Sequence, residues 1–284
     1  MGEHWMPTDA AGLVTTDWVE NHLGAPSVRL IEVDEDITAF DRGHLPGAVA
    51  WHWRDDLHDP VHRDIIDRAR LISLLRRWGI GPGTTVVFYG GNRNWFASYA
   101  YWILAHHGYP EVRLMDGGRQ RWEAEGRPVS RASAPPSPAP QPILDAPRTG
   151  LRILRPAMLP LVLEGRIQCI DARAPTEFRG EMLAPPHHPD EQAHTPGRMP
   201  GAVNLPWSHL VSDDGGFLDG PSLRSLAESA GVDPSVPGLV YGRTTERGAL
   251  TWFVLHEILG HPSVAYYDGG WTEYGSLVGV PVER

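Results

Sequence analysis

Short runs of apolar residues recur along the chain, each about as long as a β-strand. They show little alternation of apolar and polar positions, which indicates strands that are buried on both faces of a sheet. Two of them, 86–89 and 238–241, lead directly into turns that contain glycine. The predicted strands are residues 29–33, 86–89, 112–116, 167–171, 238–241 and 264–268.

Two stretches between these strands have the character of buried helices. Residues 97–107 and 249–259 carry apolar side chains on more than one helical face. Buried strands that alternate with helices predict an α/β fold, in which a mainly parallel sheet is covered by helices on both faces.

The chain also contains an internal repeat. Three blocks recur at an offset of 152 residues, and a fourth recurs at an offset of 154. The matched pairs are Tyr89-Gly90 with Tyr241-Gly242, Gly108-Tyr-Pro110 with Gly260-His-Pro262, Asp116-Gly-Gly118 with Asp268-Gly-Gly270, and 43–49 with 197–203. A tandem duplication therefore predicts two domains, 1–130 and 150–284, joined by a proline-rich linker at 131–149.

Charge and cysteine content narrow the possible functions. The formal net charge of −10 disfavours a nucleic-acid-binding surface, and no apolar run reaches the roughly 18 residues that a transmembrane helix needs. The first residues lack the features of a secretory signal, and Cys169 has no second cysteine with which to form an internal disulfide. We expect a cytoplasmic protein, monomeric or homodimeric, without a membrane or nucleic-acid partner.

Residues 242–248 form the most informative loop. They follow the strand at 238–241 and lead into a helix, and ligands of α/β proteins bind at the carboxyl ends of the strands. A glycine-containing turn at a helix N-terminus points several backbone N–H groups into one cup. The loop is therefore predicted to bind a small anion.

These motifs resemble those of the two-domain rhodaneses, which are thiosulfate or 3-mercaptopyruvate sulfurtransferases. The segments GHLPGAV (43–49) and GRMPGAV (197–203) are similar to the family motif near the start of each domain, and residues 116–128 and 267–276 are similar to its two domain-end motifs. Asp171 and Arg173 match the family's D-x-R. The resemblance implies two rhodanese-like domains, of which the N-terminal one is non-catalytic, with Arg173 near the substrate.

The chain departs from the resemblance at the catalytic loop. The loop of the most similar rhodaneses reads Cys-Arg-x-Gly-Glu-Arg-Ser, whereas residues 242–248 read GRTTERG. The resemblance implies that Gly242 stands where the sulfur-accepting cysteine belongs, and glycine has no side chain to carry a persulfide. We therefore expect no ordinary thiosulfate:cyanide sulfurtransfer. We also expect a space at the head of the loop, and a strained turn where Thr245 replaces glycine.

The candidate site residues follow from the loop and the resemblance. The anion would be bound by loop residues and three guanidinium groups: Gly242, Arg243, Thr244, Thr245, Arg247, Gly248 and Arg173. The acid/base candidates are Glu246, for which a loop-stabilising role is the alternative, and His187 and His188 in the 179–196 insertion. We predict no metal and no cofactor, and we expect Cys169 to be a buried, inert residue.

Three functions remain open on the sequence alone. The first is an enzyme that acts on a small anionic metabolite without covalent sulfur transfer. The second is a catalytically dead relative that binds a ligand or a partner, and the third is a sulfurtransferase that uses an external thiol. The fold cannot choose among them, because function depends on the site.

Overall fold

The structure is a computed structural model that describes residues 12–132, 138–184 and 192–284. It divides into two compact units. The first unit holds the described residues from 12 to 148 together with 213–217, and the second holds those of 149–212 and 218–284. The short segment 213–217 belongs to the first unit because Asp214 pairs with Arg121 and the Phe217 N–H donates to Asp116.

The first unit is built on a parallel sheet of five strands in the order β1-β5-β4-β2-β3. The strands are β1 (Leu13–Val14), β2 (Val28–Asp34), β3 (Val49–His52), β4 (Thr85–Tyr89) and β5 (Val112–Met115). The helices are α1 (Thr16–Asn21), α2 (Thr38–Arg42), α3 (Arg68–Arg77), α4 (Trp95–His106) and α5 (Gly118–Ala124).

The second unit repeats this plan with four parallel strands in the order β7-β6-β8-β9. They are β6 (Gln168–Asp171), β7 (Val203–Asn204), β8 (Gly238–Tyr241) and β9 (Val264–Tyr267). The helices are α6 (Arg155–Leu163), α7 (Pro175–Phe178), α8 (Gly220–Ser229), α9 (Glu246–Phe253) and α10 (Gly270–Tyr274). A π-helical turn, Val254–Ile258, continues α9.

The α/β architecture and all six predicted strands are confirmed. Sequence reasoning missed three short strands, β1, β3 and β7, because two to four residues carry too little pattern. All four residues of β8 are buried, as expected for a strand that is covered on both faces.

Strand pairing places the candidate site. The parallel register pairs Asp171, at the end of β6, with Tyr241, at the end of β8. The 242–248 loop and the segment that follows Asp171 therefore leave the sheet side by side.

Candidate active-site loop

The peptide groups of the 242–248 loop are oriented by α10. The Trp271 and Thr272 N–H groups donate to the carbonyl oxygens of Gly242 and Arg243, at 2.8 and 2.9 Å. A Cβ atom on Gly270 would lie only 2.7–3.0 Å from the carbonyl oxygens of residues 242–244. These peptides are trans, so the N–H groups of residues 243–245 point to the opposite side.

The head of the loop is closed rather than open. A Cβ atom on Gly242 would lie 2.9 Å from the Gly248 nitrogen, and one on Gly248 would lie 2.6 Å from Cε2 of Tyr266. The Tyr266 hydroxyl also donates to the Thr245 carbonyl oxygen. The expected space at the head of the loop is therefore wrong, because the backbone of Gly248 lies where a side chain on Gly242 would point.

The expected strain at Thr245 is also wrong. Thr245 has φ −83° and ψ −35°, which is ordinary right-handed helical geometry. The loop enters α9 without a left-handed residue at this position, so a β-branched side chain costs little here.

The three candidate arginines lie in the interior of the second unit. Arg173, Arg243 and Arg247 are 1%, 3% and 7% exposed. Arg173 donates from Nε and Nη2 to the carboxylate of Asp171, with a shortest distance of 2.6 Å, and its guanidinium lies 4.5 Å above the ring of Trp271. This pairing gives Arg173 a structural role, and Nη1 is its only nitrogen without a hydrogen-bond partner.

Glu246 lies in the first turn of α9 and is buried. The Thr244 hydroxyl lies 2.7 Å from each of its two carboxylate oxygens. The carboxylate therefore ties the loop to the helix, which is the structural alternative to the predicted acid/base role.

The corresponding loop of the first unit is built differently. Residues 92–94 there have positive φ angles of 48°, 54° and 66°, and the Asn94 side chain accepts a hydrogen bond from the Gly90 N–H. The Asp34 carboxylate accepts hydrogen bonds from the Gly91 N–H and from Nδ2 of Asn92, both at 3.1 Å. This loop therefore binds a carboxylate that belongs to its own chain.

Strand register shows what replaces that carboxylate in the second unit. Glu32 pairs with Tyr89 as Asp171 pairs with Tyr241, so Asp34 corresponds to Arg173. The second unit thus has a cation, held by Asp171, where the first unit has an anion that is bound to the loop.

Comparison with known sequences and structures supports the resemblance. The rhodanese-like domain family matches residues 15–125 and 161–277, and thus most of both units. This chain belongs to the rhodanese family.

The relatives of this rhodanese include proteins named for sulfur transfer. A putative thiosulfate sulfurtransferase of Mycobacterium tuberculosis is 47% identical over 272 residues, which cover 95% of this chain and 97% of the relative. The sulfur carrier protein TtuD of Thermus thermophilus is 44% identical over 277 residues, which cover 96% of each protein.

Solved structures share the two-unit fold. The anaerobic ergothioneine biosynthesis enzyme of Chlorobium limicola, in complex with trimethyl histidine, has a TM-score of 0.82 and 22% identity, covering 96% of this chain and 70% of its own. YnjE has a TM-score of 0.82 and 23% identity, covering 96% of this chain and 68% of its own.

Cys169 is the only cysteine of this rhodanese and lies inside β6, within the hydrophobic core of the second unit. Burial, together with the nearby charge of Asp171, raises the pKa of its thiol to about 12. The thiol therefore stays protonated near neutral pH and is shielded from solvent, which confirms that it is buried and removes it as a replacement nucleophile.

Sequence reasoning overlooked Glu177, which lies in α7 and is 1% exposed. Its Oε2 accepts a hydrogen bond from the Ala174 N–H at 3.2 Å, and its Oε1 has no hydrogen-bond partner. Burial raises the pKa of this carboxyl group, although the charges of Arg173 and Arg247 oppose the shift. The sequence feature that could have indicated Glu177 is a glutamate two residues after Pro175, at the start of a short helix.

Two of the predicted acid/base residues, His187 and His188, lie outside the described residues. Within the ranges that the structure describes, no three His, Cys, Asp or Glu side chains are grouped as metal ligands. None of the described helices is long and apolar enough to cross a membrane.

Proposed function

We propose that this rhodanese-family protein binds a small anion in the 242–248 loop and acts on it without forming a persulfide on its own chain. One observation carries the proposal: Gly242 begins the loop, and the only cysteine, Cys169, is buried in β6. Persulfide chemistry on the protein needs an accessible thiolate. We infer that anion binding takes its place.

The first unit supports an anion at such a loop. There the Gly91 N–H and the Asn92 amide bind the Asp34 carboxylate, so a loop at this place in the fold binds an anion, although its backbone differs from that of 242–248. The corresponding Arg173 cannot serve as one. An anion at the equivalent position of loop 242–248 would come from solution.

The names of the relatives direct the choice of anion. The similar proteins of Mycobacterium tuberculosis and Thermus thermophilus are named a thiosulfate sulfurtransferase and a sulfur carrier. Small sulfur oxyanions, thiosulfate and sulfite, are therefore the first ligands to test.

The experiment combines binding with mass measurement. Thiosulfate, sulfite, sulfate and phosphate are each titrated while the melting temperature is followed, and the intact mass is measured after thiosulfate treatment. We expect stabilisation by a sulfur oxyanion and no added sulfur. Sulfur on Cys169 with turnover would overturn the proposal, and transfer that requires an added small thiol would favour the external-thiol alternative.

Arg247→Ala tests the site directly. A charge-assisted hydrogen bond contributes about 1.5–3 kcal/mol, so the variant should bind roughly ten- to a hundredfold more weakly. Arg179→Ala is the matched control, because Arg179 is exposed and pairs only locally with Glu181. Unchanged binding by Arg247→Ala, or no stabilisation of the wild type by any of these anions, would leave the catalytically dead binding protein as the better description.

A further inference from the structure

Six buried side chains that can carry charge belong to the 242–248 loop, to the start of α9 and to the segment that leaves β6 beside the loop. They are three arginines and three carboxyl groups: Arg173, Arg243, Arg247, Asp171, Glu177 and Glu246. A bound anion adds negative charge to this set, and uncompensated charge is costly in a buried site. One carboxyl group can remove the excess by taking up a proton.

Two of the three carboxyl groups have side-chain hydrogen-bond donors. Asp171 accepts hydrogen bonds from Nε and Nη2 of Arg173 and from the Arg173 backbone N–H. Both carboxylate oxygens of Glu246 lie 2.7 Å from the Thr244 hydroxyl.

Glu177 differs from both. Its Oε2 accepts one backbone hydrogen bond, and its Oε1 is buried without a hydrogen-bond partner. The charged groups that act on it are Arg173 and Arg247, which favour its ionised form, and Asp171, which opposes it. An anion bound near Arg173 and Arg247 offsets the two positive charges that favour an ionised Glu177.

We propose that Glu177 is the proton-accepting residue of the loop site, so that binding of a small oxyanion is accompanied by uptake of one proton on this carboxyl group. This proposal rests on the proposed function of the loop. A protonated Oε1 becomes a hydrogen-bond donor, as the unpartnered Nη1 of Arg173 already is. Ligands with several acceptor oxygens are therefore favoured over simple halides.

Calorimetry with thiosulfate as the probe tests the proposal. Thiosulfate carries no proton near neutral pH, so a proton taken up on binding must go to the protein. Titrations in two buffers of different ionisation enthalpy give the number of protons taken up between pH 5 and 9. In the wild type we expect this number to rise towards one above the pKa of Glu177, while Kd weakens about tenfold per pH unit.

Glu177→Gln should bind thiosulfate with little pH dependence and take up no proton, because the amide keeps the acceptor for the Ala174 N–H but cannot ionise. Glu181→Gln is the matched control and should behave as the wild type, since Glu181 is exposed and pairs with Arg179. If the wild type binds thiosulfate without taking up a proton, this inference is wrong while the proposed function stands. That measurement does not depend on the folding of any variant. Equal proton uptake by Glu177→Gln would also overturn it, and failure of thiosulfate to bind at any pH would overturn the proposed function with it.

Discussion

The two units place the same kind of ion pair beneath their loops but draw its arginine from different elements. Each unit has a buried tyrosine hydroxyl that accepts a backbone N–H, Tyr89 from Leu45 and Tyr241 from Met199. Beside Tyr89, Glu32 pairs with Arg119 of α5. Beside Tyr241, the corresponding Asp171 pairs with Arg173, only two residues away.

This difference in the origin of the arginine changes which side chains surround each loop. Trp271 occupies the position of Arg119 by the 152-residue offset, and it packs on Arg173. Asp34 occupies the position of Arg173 and is bound to the first loop. The equivalent position therefore carries a loop-bound carboxylate in the first unit and an arginine paired with Asp171 in the second.

The largest effect is expected from removing the arginine of each pair. Arg173→Ala should lower the free energy of unfolding by about 3–5 kcal/mol, because it leaves Asp171 buried and unpaired. Arg119→Ala should cost less, about 1–3 kcal/mol, because the pKa of Glu32 is already raised by burial and the group can become neutral. Urea denaturation measures both, and a greater loss for Arg119→Ala would reverse this ranking.

The second prediction concerns restoring a thiol to the loop. Gly242→Cys should reduce stability by about 1–3 kcal/mol, because its Cβ would lie 2.9 Å from the Gly248 nitrogen. It should take up little sulfur from thiosulfate, as measured by intact mass. Adding Thr245→Gly should not increase the uptake, since Thr245 is already in right-handed geometry; an increase would show that this residue holds the loop closed.

The third prediction tests the carboxylate bound to the first loop. Asp34→Ala should cost roughly 1–3 kcal/mol, because the Gly91 N–H loses its acceptor. Sulfate should restore part of this loss by occupying the vacated position. Asp36→Ala, at an exposed neighbour, serves as the control. Equal stabilisation of all three proteins by sulfate would contradict the assignment of Asp34 as an internal anion.

The smallest effect near neutral pH is expected from the thiol of Cys169, which corresponds by register to Leu30 of the first unit. Folding raises the pKa of this thiol from its ordinary 9.0 to about 12. The thiol has no effect below pH 9, where it is protonated in both states. Between pH 9 and 12 the unfolded chain ionises first, so stability should fall by about 1.4 kcal/mol per pH unit.

Cys169→Ala should lack that loss, which urea denaturation at pH 8 and pH 10 would show. In the wild type, a thiol reagent should react only after unfolding. Rapid reaction of the native protein would contradict the burial of Cys169.

The sequence was sufficient for the features that repeat along the chain. Runs such as 86–89 and 238–241 predicted their strands closely, since burial on both faces requires continuous apolar residues. The duplicated blocks indicated two α/β units, and the order of strand, loop and helix located the 242–248 loop.

The direction of individual side chains was not predictable in this way. Arg173 was predicted to contact the ligand because of its motif, and the structure adds that its orientation depends on Asp171 and on the face of Trp271. The close approach of the Gly248 backbone to Gly242 is a property of the folded loop and leaves no pattern in the sequence. Glu177 was overlooked because the burial of its Oε1 without a hydrogen-bond partner arises only from the packing around it.

The π-helical turn after α9 has a consequence for chain length. Helix α4 begins at Trp95, whereas α9 begins at Glu246, which corresponds by the offset to Asn94. Both segments end at equivalent glycines, Gly108 and Gly260, so the helical segment of the second unit begins one residue earlier relative to its end. A π turn, closed by the Leu259 N–H on the Val254 carbonyl, absorbs that residue. If this π turn became regular α-helix, one residue would pass from the helix into the 242–248 loop while Gly260 stays in place.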